Sequence, residues 1–352
     1  MRRLLRHVPR LLPALLSLGL LGWVVRSADL GRALSLVHSL GWRLPLLLLP
    51  NLAAVLCEAV GWWLSFARLG ARPRLRGLLA VRVTVDALML GLPSGSVVSE
   101  TLQPYLLKQR CGVPTELGIV ATVARKFFVV VSHGLFLGAA TLLAWRLLDA
   151  DSNATIGRAG LPWLLLATSS GLVVASLAGV LATTHGRLAH RLHRGLDRLG
   201  GRWMGGWLER NALRFRHTDE VLAAFFRHDP AGLVPPIVLY LAGWLVRSLE
   251  TWLFLRLLGV DVPIPATMVI ETALILVRAL AVPVPAGLGV QDAGYVLCLR
   301  ALGVPDATTV GTAFVVLKRG KDLFWVALGF VLLGLGRRRG EALAPAPPPP
   351  AA

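Results

Sequence analysis

Pro93-Ser94-Gly95-Ser96-Val97-Val98-Ser99-Glu100 aligns without a gap on Pro285-Ala286-Gly287-Leu288-Gly289-Val290-Gln291-Asp292. Each octet interrupts an apolar stretch, 77–111 in the first case and 264–303 in the second. A helix needs about 20 apolar residues to cross a bilayer, so neither half of either stretch crosses alone. Interrupted helices at membrane depth are tolerated only where they line protein or a water-filled cavity. Both stretches therefore read as re-entrant hairpins, with Pro93, Gly95, Pro285, Gly287 and Gly289 at their tips. Working outward, the same features flank both. Trp63-Leu64-Ser65-Phe66-Ala67-Arg68-Leu69-Gly70 lines up with Trp252-Leu253-Phe254-Leu255-Arg256-Leu257-Leu258-Gly259, and Gly112-Val113-Pro114 with Gly303-Val304-Pro305. The spans that follow carry Arg125-Lys126 and Lys318-Arg319 at similar depth, and the offset drifts only from 189 to 193. One unit of span, broken hairpin and span has been duplicated.

Composition agrees with a membrane location. The 352 residues are 55% hydrophobic and 16% charged, whereas soluble domains run near a quarter charged. The net charge of +18 does not indicate a nucleic-acid binder, because the arginines stand at the ends of apolar runs. Cys57, Cys111 and Cys298 are too widely spaced for a metal knuckle or a disulfide framework and read as small buried hydrophobes. Full spans are expected at 9–25, 44–66, 116–146, 161–183, 232–258 and 308–334. The first follows Met1-Arg2-Arg3-Leu4-Leu5-Arg6, and with no small-residue cleavage site before Arg26 it reads as a retained span. The expected fold is thus an all-α polytopic membrane protein of about six transmembrane helices and two re-entrant hairpins.

Charge orients the chain. The segments placed inside hold 22 Lys and Arg, those placed outside hold 6, and the rest lie within spans or hairpins. This is a positive-inside bias with both termini cytoplasmic. On that topology span 44–66 runs inward while 232–258 runs outward, so the repeats are inverted, as in secondary transporters. The organisation expected is 1–43 (first span and external loop), 44–146 (repeat A), 147–231 (connecting span and a basic amphipathic segment on the cytoplasmic leaflet), 232–334 (repeat B) and 335–352 (a low-complexity Pro/Ala tail). His185, His190 and His193 in the basic segment lack a second ligand cluster and read as part of a solvated helix. Asn153-Ala154-Thr155 in the external loop fits a glycosylation pattern.

The sequence also resembles the lysylphosphatidylglycerol synthase transmembrane-region family, the flippase-like membrane proteins, over about 40–335. The likeness rests on Leu92-Pro93, Glu100, Tyr105-Leu106-Leu107-Lys108 and Gly112-Val113-Pro114, and on Pro283, Pro285-Ala286-Gly287-Leu288-Gly289 and Asp292. Ala286 and Asp292 stand where the family favours glycine and glutamate. The resemblance implies an integral membrane protein that translocates or handles aminoacylated phospholipids, polyprenyl-linked intermediates or hopanoid-type lipids. The aminoacyl-transferring domain of the fused synthases is not expected after residue 334, so the resemblance does not extend to synthase activity.

Charge inside a membrane costs at least ~2.5–3.5 kcal/mol per residue on insertion scales, so intramembrane ionisable residues locate the chemistry. Arg125, Lys126, Lys318 and Arg319 are expected to wall a cationic cavity for a lipid phosphate, by forked hydrogen bonds from arginine and point charge from lysine. Structural ion pairing is the other reading of such residues, and Arg247 with Glu250 is an i, i+3 example. Glu100, Gln291 and Asp292 open the second hairpin limbs. The carboxylates of Glu100 and Asp292 either cap free N–H groups or serve as proton or headgroup-amine sites. At offset 192, Asp86 falls opposite Arg278, a cross-repeat pair able to act as a gate, with Arg82 the rival partner of Asp86.

The reading this supports is a lipid translocator in the cell (inner) membrane, not an enzyme, with no cofactor and no metal. Its partners are membrane lipids, anionic or lipid-linked, with a second copy of the chain or a lipid-synthesis enzyme as protein partner. The alternatives are a membrane enzyme on a lipid-linked substrate and an accessory scaffold of a lipid-linked pathway. The first would need a nucleotide fingerprint or metal cluster; the second would not need nine basic residues within spans and hairpins.

Overall fold

The computed structural model describes residues 19–20, 22–23, 26–92, 94–149, 160–184, 220–280 and 287–342, with the side chains of 275–280 and 336–342 outside that description. Among the described residues there are helices and no strand. Helix α1 (Leu30–Ser39) leads through a 3-10 segment (Gly41–Leu48) into α2 (Leu49–Arg68). The first hairpin is α3 (Leu75–Gly91) and α4 (Gly95–Cys111), and α5 (Thr115–Leu143) completes repeat A. After α6 (Leu161–Thr184), repeat B follows as α7 (Val234–Leu257), the hairpin α8 (Ile264–Leu280) and α9 (Val290–Ala301), and α10 (Ala307–Ala342).

Matching glycines end matching helices. Gly112 (φ +68°) closes α4 and Gly303 (φ +69°) closes α9, in the left-handed conformation that glycine adopts without a Cβ penalty. The amide of the next residue then caps the helix: Val113 N donates to Leu107 O at 3.4 Å and Val304 N to Leu299 O at 3.1 Å. The following proline carries no N–H to continue the helix.

Four helical stretches are long and apolar enough to cross a membrane: Gly41–Arg68, Thr115–Leu143, Leu161–Thr184 and Ala231–Leu257. They correspond to four of the six expected spans. The expected span 308–334 lies inside the 36-residue α10, which carries Lys318, Arg319, Lys321 and Asp322 through its middle. Most of the expected span at 9–25, most of the 148–160 loop with Asn153, residues 185–219 with their three histidines, Pro93, 281–286 with Pro283 and Pro285, and the 343–352 tail lie outside the described residues. Cys57, Cys111 and Cys298 are free and only partly buried, rather than the core hydrophobes expected.

The hairpins are short of a crossing. Limbs α3 and α4 have 17 residues each, roughly 25 Å at 1.5 Å per residue, against a hydrocarbon core of about 30 Å. Both ends of the first hairpin lie at one face: a Cβ on Gly77 would stand 3.0 Å from Cys111 Sγ. Its tip is closed by Ser94 in the left-handed region (φ 53°) and by Gly95, whose missing Cβ would lie 2.3 Å from the Leu88 carbonyl oxygen.

Repeat inversion is visible in the packing. Helices α2 and α7 are the equivalent first spans, and they pack antiparallel. Arg68 approaches Asp229 and Gly232, Gly61 meets Leu239 and Tyr240, Ala54 meets Gly243, and Asn51 meets Arg247. Two further contacts exchange between repeats: α3 of repeat A packs on α10 of repeat B, and α8 of repeat B packs on α5 of repeat A. The close approach at Gly329 of α10, where a Cβ would stand 2.7 Å from Val83 O, belongs to the first of these contacts. Each repeat keeps its own apolar core, around Trp62, Phe66 and Leu107 in A and around Phe254, Leu299 and Phe314 in B.

Candidate functional site

Helices of both repeats turn their ionisable side chains inward, onto a cavity of about 390 Å³ between the repeats. That volume falls in the ligand-sized range, roughly 300–1,000 Å³. The wall was expected to be cationic. Its lining instead holds seven basic and seven acidic side chains. A lone charge in hydrocarbon is costly and pairing offsets much of that cost, so each cation arrives with an anion.

On the A side, Glu58 of α2 is held between two arginines. Arg82 of α3 approaches its Oε2 at 2.6 Å and Arg247 of α7 its Oε1 at 2.8 Å, with Asn51 accepting a further bond from Arg247 at 3.3 Å. Residues 58 and 247 are equivalent at the repeat offset of 189, so this pair joins equivalent positions of the inverted halves, near their pseudo-twofold axis. It replaces the expected Arg247–Glu250 pair. Asp86 takes the rival partner one turn away, Arg82, at 2.5 Å. The side chain of Arg278 lies outside the described residues, and so does the expected gate pair.

The dibasic motifs meet the second-limb carboxylates in both repeats. Glu100 accepts from Arg125 at 3.2 Å and Lys126 at 2.9 Å, and Asp292 accepts from Arg319 at 2.6 Å. The two carboxylates differ in one respect. Asp292 is the third residue of α9 and caps it, accepting from Gly289 N at 2.9 Å. Glu100 sits one and a half turns inside α4, not at its start, and caps nothing. Gly287 (φ +62°) and Gly289 (φ +78°) provide the turn that delivers Asp292.

Lys318 departs from its repeat mate Arg125. Its ammonium lies 3.0 Å from Glu250 and 2.9 Å from Glu271, inside a cage of Phe254, Tyr295 and Phe314 rings at 5.6–5.7 Å. Tyr295 donates to Glu271 at 2.8 Å and Gln291 donates to Tyr295 at 3.4 Å. Lys321 reaches Glu250 at 2.7 Å. Glu271 and Tyr240 were not legible as site residues. Each is a lone polar position in an apolar run, with no charged neighbour at helical spacing to mark it.

Several lining atoms are buried without a partner among the described residues: Arg125 Nε, Tyr240 OH, Trp325 Nε1 and Glu250 Oε2. Buried polar groups of this kind are usually satisfied, and here three donors and one acceptor belong to side chains that line the cavity. Among the described residues, no group of three metal-ligating side chains converges.

No curated protein and no solved structure matches the chain. A family model described as the lysylphosphatidylglycerol synthase TM region matches residues 10–329, nearly the whole sequence. An all-helical membrane architecture with inverted repeats and a match of that extent agree, and the chain belongs to the lysylphosphatidylglycerol synthase transmembrane-region family of multi-pass membrane proteins, a family of lipid metabolism and translocation.

Proposed function

We propose that this protein is a lipid translocator of the cell (inner) membrane, with both termini cytoplasmic, that passes a phosphate-bearing headgroup through the cavity between its inverted repeats. The observation that carries this reading is a ligand-sized cavity walled by seven cations and seven anions drawn from both repeats. A phosphate binds there by competing for an arginine or lysine already paired, so a headgroup is held only while an ion pair is open. Arg125 and Tyr240, lining side chains that each keep a buried donor without a partner among the described residues, turn those donors to its oxygens. The lipid tails stay in the bilayer. The partner is an anionic or lipid-linked amphiphile, the chain acts as a carrier rather than an enzyme, and its chemistry calls for no cofactor.

The test is bilayer crossing of fluorescent phosphatidylglycerol, phosphatidylethanolamine and polyprenyl-phosphate probes in vesicles containing the purified full chain. At least one probe should cross tenfold or more faster than in protein-free vesicles, with Arg125→Gln removing most of the gain. Identical rates with and without protein for every probe would overturn the reading.

A further inference from the structure

The two repeats differ in the chemistry of their buried charge. At the repeat offsets, Glu250 stands where repeat A has Gly61 and Glu271 where it has Leu79. Likewise Tyr295 replaces Gln103, and Lys318 and Lys321 replace Arg125 and Phe128. The A side is therefore dominated by arginines, which stay protonated in proteins. The B side is made of groups that can pass protons, and they touch. Lys318 lies between the two glutamates, Tyr295 and Thr251 donate to Glu271, and Lys321 shares Glu250. Glu250 is 2% exposed. Its Oε1 receives both lysines, whereas its Oε2 is buried, unpartnered among the described residues and part of a cavity-lining side chain. A proton can add to that oxygen without breaking an existing hydrogen bond.

We infer that Glu250, Lys318 and Glu271 form a proton-binding site whose occupancy is exchanged with the passage of a phosphate-bearing headgroup. The exchange rests on the translocator reading; the proton site itself does not. A phosphate oxyanion in the cavity draws Lys318 and Lys321 toward itself. Glu250 loses its counter-charges and takes a proton from cavity water, an O–H bond forming at Oε2 as one on hydronium breaks. When the headgroup leaves, the lysines return and that proton is released to water at the face then open.

The neighbouring groups leave this role to the triad. Arg247, one turn before Glu250 on α7, is committed to Glu58 and Asn51 of α2. On α5, Arg125 is held by Glu100, and His133 stacks edge-on against Trp244. From α10, Asp322 lies 3.5 Å from Lys321.

Infrared difference spectra of the full chain in a phosphate-free maltoside detergent, recorded at one near-neutral pH before and after adding a polyprenyl phosphate or inorganic phosphate, test the site without any transport. A protonated-carboxyl C=O band should grow on addition of at least one of these phosphates in the wild type. It should be lost in Glu250→Gln or shifted in Glu271→Gln, and remain in Asp261→Asn, a carboxylate exposed between α7 and α8. The absence of a band in the wild type overturns the inference, with no dependence on how the variants fold, and so does a band unchanged in both the Glu250 and Glu271 variants. Where a probe lipid crosses, an imposed pH gradient should speed it several-fold more than an equal sodium gradient; equal responses overturn the coupling and leave the translocator standing. An intact band with no lipid crossing supports the proton site and fails the translocator reading instead.

Discussion

Glu58 neutralises two buried arginines, one from each repeat. Removing one member of a buried ion pair leaves its partner uncompensated, at a cost of about 3–5 kcal/mol. Glu58→Gln should therefore lower thermal stability in detergent far more than Asp261→Asn, because Asp261 and its partner Arg256 are 83% and 54% exposed and water replaces the lost contact. Equal melting points for the two variants would contradict the central position of Glu58. At this scale the sequence shows which charges lie inside the membrane but not how they pair. Arg247 and Glu250 are neighbours on one helix face, yet each bonds to another helix. Helical spacing gives a local partner to every residue, and burial lets a better-placed distant one win.

Hairpin α3–α4 depends on the backbone-to-backbone approach at Gly95. Any Cβ there meets the carbonyl oxygens of Leu88 and Met89 at 2.3 and 2.5 Å, and neither can move without unwinding the end of α3. Gly112 has open space around it and only its φ of +68° to lose, worth about 1–2 kcal/mol for a residue with a Cβ. Gly95→Ala should thus cost at least twice as much stability as Gly112→Ala, measured by thermal unfolding of the purified variants. The reverse order would mean that the tip is looser than its geometry. Both hairpins are visible as elements in the sequence, through glycine and proline at matching positions. The one and a half turns that separate Glu100 from the start of its helix are not, since the start is set by Ser94 adopting a left-handed conformation.

In the whole molecule, antiparallel α2 and α7 put the 68–76 and 225–233 segments at one end, while the Arg32–Asp306 pair marks the other. On the proposed orientation, the first end is cytoplasmic. On a background with Cys57, Cys111 and Cys298 replaced, a cysteine introduced at Trp42 (77% exposed) should react with an impermeant reagent on intact cells. One introduced at Arg74 should react only after lysis. The opposite pattern would reverse the orientation while leaving the inversion intact, because the inversion follows from packing alone.

The sequence by itself determined the membrane class, the duplication, the inverted topology and the family, because apolar length, positive-inside bias and repeated glycine–proline punctuation are local or additive signals. The equivalent depth of Arg125-Lys126 and Lys318-Arg319 in the two repeats was likewise legible in their shared order. Only the tertiary structure decided that the hairpins pack on the last span of the opposite repeat, that the cavity is charge-balanced rather than cationic, and that Glu271 belongs to it. Those outcomes depend on which helix faces meet. Residues about 190 positions apart touch because two equivalent helices cross antiparallel, and a buried charge is stable only in the geometry where its partner completes it.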